Sequence, residues 1–122
     1  MPQLYDHVSE LLAIEGALGA AIVDCESGMA LATSGDPGFD LEIAAAGNAN
    51  VIRAKVKNME LLGISGEIED ILITLDKQYH LINVMNGRGT KGLFVYTVLN
   101  RATANLALAR NQASAVAAEV TV

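Results

Sequence analysis

Tryptophan is absent, and three tyrosines and two phenylalanines are the only aromatics in 122 residues. The core must therefore be aliphatic and alanine-rich, which the 52% apolar content allows. The lone cysteine, Cys25, excludes an internal disulfide framework and suits a reducing compartment. No Lys or Arg precedes Arg53, whereas Asp6, Glu10, Glu15, Asp24, Glu26, Asp36, Asp40 and Glu42 all do, within a net charge of -6. Such a chain repels phosphate backbones, which argues against nucleic acid and for a basic or ligand-bearing protein surface as partner. No basic-then-apolar leader opens the sequence, and no apolar run reaches membrane-spanning length. The expectation is a cytoplasmic protein without membrane insertion. At this length it is one domain, residues 1–122, able to bury about two-thirds of its unfolded surface.

The chain is organised around the stretch from Asp36 to Leu62. Asp36-Pro37 reads as an N-cap with proline at the first helical position, and Gly63 as the stop. At about 100° per residue the helix has two apolar lobes. Leu41, Ala45, Ala49, Ile52, Val56 and Met59 form one; Ile43, Ala44, Gly47, Val51, Ala54, Leu61 and Leu62 form the other. Asn48 and Lys55 run between them, and Glu42, Arg53, Lys57 and Glu60 make a polar stripe opposite. A surface helix of a monomer needs one apolar stripe. Two imply two contacts, one with its own sheet and one with the same helix of a second subunit. The alternative is an unusually buried helix in a monomer.

Around this helix, the spacing of Leu4, Val8, Leu11 and Leu12 predicts a short helix over Gln3 to Ile14. Leu18 to Cys25 and Met29 to Thr33 read as a hairpin turning at Glu26-Ser27-Gly28. Glu67 to Leu75, Gln78 to Met85 and Leu93 to Leu99 read as strands, the last two joined by a glycine-rich loop, Asn86 to Gly92. Asn100 is available to cap a final helix with a small-residue stripe at Ala102, Leu106, Ala109 and Ala113, and the tail beyond Ser114 is expected to fray. Several strands are apolar on both faces, so both sides of the sheet need cover: the central helix on one, the terminal helices on the other. The fold class is α+β, in the order αββαβββα.

No constellation for catalysis assembles. Gly87 to Gly92 spells G-x-G-x-x-G, but it leads into a strand rather than a helix, unlike a dinucleotide loop. His7 and His80 lack ligand-spaced partners, so no metal and no cofactor is expected. Cys25 has no histidine nearby in sequence, and Glu67, Glu69 and Asp70 suit protection of a sheet edge. The reading is a non-enzyme.

Gly16 to Ala32, Asp40 to Lys55, Ile68 to Ile82 and Leu93 to Arg110 resemble the roadblock family, which includes roadblock-type dynein light chains and bacterial regulators of small Ras-like GTPases. The resemblance spans nearly the whole chain. It implies a five-stranded antiparallel sheet between helices and a homodimer built from the central helix and the following strand. Here those positions are Ala44, Gly47, Asn48, Val51, Lys55, Ile71 and Ile73. It further implies docking of a small Ras-like GTPase, with possible modulation of GTP hydrolysis, or service as a scaffold subunit. A small-ligand sensor is the other class, weakened by the scarcity of aromatic and convergent polar residues. Of four arginines only Arg88 lies in a loop, between two glycines that would leave it mobile and costly to order as a catalytic finger.

Overall fold

The computed structural model describes residues 3–87 and 89–121. Its elements are α1 (Leu4–Leu12), β1 (Ala17–Asp24), β2 (Ala30–Gly35), α2 (Leu41–Leu62), β3 (Asp70–Thr74), β4 (Gln78–Met85), β5 (Leu93–Asn100) and α3 (Leu106–Glu119). One antiparallel sheet runs β2-β1-β5-β4-β3, so chain neighbours pair as hairpins and β1 lies against β5 in the middle. The αββαβββα order and the single domain are as expected.

Alternation along the strands divides the core into two layers. Ala20, Ile22, Leu81, Val95 and Leu99 face α1 and α3, where Val8, Leu11, Ala109 and Ala113 meet them. Ala21, Val23, Ile82, Phe94, Tyr96 and Val98 face α2 and its Leu41, Ala45, Ala49 and Ile52. Cover on both faces explains why the central strands lack a polar side.

Several boundaries differ from the sequence reading. α1 ends at Leu12, two residues early. α2 is capped by Asp40, whose carboxylate accepts from the Glu42 and Ile43 amides at 2.8 and 3.3 Å. Asp36 instead closes a turn by accepting from the Gly38 amide, and Gly38 at φ +92° cannot continue a helix. β3 begins at Asp70 rather than Glu67. Asn100 caps only the turn after β5, and Asn105 caps α3. α3 continues past Ser114 to Glu119, with Val116 and Val120 buried in the layer below.

Candidate functional site

The two lobes of α2 have different fates. Leu41, Ala45, Ala49 and Ile52 are buried against the sheet, while Val56, assigned to the same lobe, is exposed. In the second lobe Ile43 is 73% exposed and Leu61 79%, and Val51 and Leu62 are also exposed. α2 packs chiefly on β1 and β2. The other half of that sheet face, over β4 and β3, is left with much less helical cover. Isolated exposed apolar side chains are ordinary, but a row of them beside an open sheet face is a surface with a use.

The residues named from the sequence fall around this opening. Ala44 is half-buried, Gly47 and Lys55 are exposed, and a Cβ built on Gly47 meets nothing within 4 Å. Asn48 is buried at the groove floor rather than standing on a polar stripe. Ile71 packs with the α2 layer and Leu72 with the other, which puts Ile73 on the α2 side. β3 pairs only with β4, so its outer edge has no partner strand among the described residues.

Between the start of α2 and β4 lies an open groove of about 440 Å³, lined in part by Phe39, Ile43, Ala44, Gly47, Asn48, His80 and Tyr96. Aromatic and polar groups that lie far apart in the sequence converge here. The His80 ring lies 5.6 Å from those of Phe39 and Tyr96, edge-on to Tyr96. Its Nδ1 is 3.0 Å from the Tyr96 hydroxyl and its Nε2 is 2.9 Å from Gln78 Oε1. Gln78 in turn donates to the Pro37 carbonyl at 3.3 Å. Burial lowers the His80 pKa and raises that of Tyr96 to about 12, the latter offset in part by a hydrogen bond with Asn48. Both shifts favour the neutral forms of His80 and Tyr96, while the Asp40 side chain that caps α2 stands at the edge of the same groove. Only Tyr96 in the β5 apolar run and His80 in the partner strand hinted at it, and their diagonal meeting, with His80 opposite Val98 and Tyr96 opposite Ile82, needed the register.

Other candidates are occupied internally. Arg53 donates to the Cys25 carbonyl and to Asn50 Oδ1, and to the Glu26 carbonyl at 3.3 Å, tying α2 to the β1–β2 turn. The Cys25 thiol is pushed up by burial, with Arg53 pulling it down and Asp24 pushing further up, which keeps it from being a ready nucleophile. Arg101 donates to the Leu75 carbonyl at 3.0 Å and lies over the Tyr79 ring. Arg110 holds Asp70 at 2.9 Å, joining α3 to the start of β3. Arg88 lies outside the described residues. The loop around it does connect β4 to β5, with Gly87 accepting from the Thr90 amide. Among the described residues no helix is long and apolar enough to cross a membrane.

No protein-family model and no curated protein matches the sequence. Solved structures do match in shape. The chain is similar to a Roadblock/LC7 domain from Streptomyces avermitilis at TM-score 0.82 and 14% identity, covering 98% of this chain and 95% of that one. It is similar to Myxococcus xanthus MglB at TM-score 0.81 and 18% identity, covering 97% and 91%. An MglB with a tetrameric arrangement aligns at TM-score 0.76 and 17% identity, covering 96% and 87%. At such identities the likeness is one of fold.

Proposed function

We propose that this chain, folded as a roadblock domain, is a non-catalytic homodimeric platform that docks a small Ras-like GTPase. The observation that carries the dimer is the coincidence of three unpartnered features on one side. These are the exposed lobe of α2, the open α2-side face of β3 and β4, and the unpaired β3 edge. A two-fold axis at β3 joins the two edges into a continuous sheet and lays each α2 beside the other. Ala44, Gly47, Asn48, Val51, Lys55, Ile71 and Ile73 then meet their counterparts, the small residues letting the helices approach closely. The tetrameric arrangement of a similar MglB is in keeping with self-association.

The GTPase rests on the kind of fold and on the resemblance of the sequence to GTPase regulators, and the acidic surface suits a basic protein patch. Stimulation of hydrolysis, where it occurs, comes from the dimer surface holding the GTPase's own catalytic groups in place, since Arg53, Arg101 and Arg110 are engaged within the chain. The test is binding of GDP- and GTP-loaded small GTPases encoded beside this chain. Saturable binding in one nucleotide state supports the reading, and none in either state leaves a scaffold subunit.

A second reading is favoured by the groove at Phe39, His80 and Tyr96, whose volume suits a small planar ligand. In the dimer the same groove lies against the partner. Native mass spectrometry separates the two: a small molecule retained by a monomer supports the sensor, and a dimer without one supports the platform.

A further inference from the structure

His7 and Glu10 stand three positions apart on one face of α1. His7 is 1% exposed, and its Nδ1 lies 3.3 Å from Glu10 Oε1 without forming a hydrogen bond of acceptable geometry to any described residue. Buried polar atoms are rarely left this way. α3 returns from the far end of the chain to place Glu119 beside them, so that one donor atom from each of the three residues lies within 4.8 Å of the others. Glu119 closes α3 where the helix dipole already concentrates negative charge, and no basic residue occupies that last turn. The buried Nδ1 without a hydrogen bond and the convergence of two carboxylates from opposite ends of the chain point to one spot.

We propose that His7 Nδ1, Glu10 and Glu119 bind a divalent cation, zinc before others, which pins the end of α3 to α1. One imidazole nitrogen and two carboxylates make a mixed donor set that zinc accepts at about 2.0–2.2 Å with water in the fourth position. Magnesium, which keeps several waters and prefers oxygen, is a poor match. The His7 ring is fixed by burial, whereas both glutamates are exposed and can rotate inward by the roughly 1 Å needed to close a tetrahedron of those bond lengths. The site joins residues from opposite ends of the chain, so the ion stabilises the whole α1–α3 layer.

The test uses the full chain, stripped with chelator and titrated with zinc chloride by calorimetry, with thermal melts alongside. The expected result is one zinc per chain and a melting temperature raised on the order of 10 °C at hundredfold excess over Kd. Magnesium should give no such shift. Glu119→Gln and Glu10→Gln, both at exposed positions, should each weaken zinc about tenfold to hundredfold and remove most of the melting shift. His7→Gln alters a buried side chain and so is not used as the deciding variant. Absence of binding at about 100 µM zinc, which is a Kd too weak for a three-ligand site, overturns the proposal. So does equal affinity of both glutamine variants and the wild type, which would place the ion elsewhere, for instance at Cys25.

Discussion

Ile43→Glu should separate the proposed dimerisation from folding at a single position. Ile43 is the third residue of α2 after its Asp40 cap, and it is 73% exposed in the isolated chain. Glutamate there lies near the positive end of the helix dipole, can reach back toward the cap, and has the better helix propensity. The monomer should therefore be as stable as wild type or slightly more so. In the dimer proposed above the same side chain, on the outward lobe of α2 beside the groove, would be covered by the partner. Full burial of an isoleucine contributes about 1.5–3 kcal/mol, so the exposed share contributes about 1–2 kcal/mol per copy. The two-fold axis doubles this to about 2–4 kcal/mol, or about 30- to 700-fold in dissociation constant, before any cost of desolvating the carboxylate. Analytical ultracentrifugation over a concentration series measures the constant, and urea melts of the dilute protein measure the monomer. A wild-type monomer at micromolar concentration refutes the reasoning, as does an Ile43→Glu dimer of undiminished affinity.

Gly35→Ala should destabilise the fold by about 2–4 kcal/mol, because Gly35 has φ +85° and a Cβ there would lie 2.5 Å from the Leu18 carbonyl oxygen; a urea midpoint unchanged from wild type contradicts this. Arg53→Ala should cost about 1 kcal/mol by releasing the Cys25 and Glu26 carbonyls and should slow thiol labelling of Cys25 by removing the charge that lowers its pKa. His80 has its pKa lowered by burial below 6.5, so the unfolded chain binds the proton more tightly. Stability should accordingly fall as pH drops below about 6.5 and level off beneath the folded value. Melts from pH 7.5 to 5 should show a shallower slope for His80→Gln, and identical slopes would remove His80 from the account. With any GTPase that binds, Arg88→Ala should change single-turnover hydrolysis by less than about tenfold; a loss of about a thousandfold with binding retained would identify a true arginine finger.

The order of elements was legible in the residues because periodicity is local. Leu4, Val8, Leu11 and the two-lobed stretch from Leu41 repeat at helical spacing, and the isoleucine-rich strands alternate between two covered faces. The division of α2 into a core side and an outward side was legible for the same reason. Boundaries were less so. Asp36-Pro37 and Asp40 both carry cap chemistry, and the positive φ at Gly38 chose between them. The alanine-rich end of α3 has too weak a stripe to announce itself, and only the burial of Val116 and Val120 under the sheet holds it as helix. The rest needed three dimensions. Strand register set His80 beside Tyr96, and the offset of α2 toward β1 and β2 opened the groove that holds them. Chain return brought Glu119 to His7 and Glu10, a meeting that no sequence spacing records because it depends on how α3 crosses the sheet to reach α1.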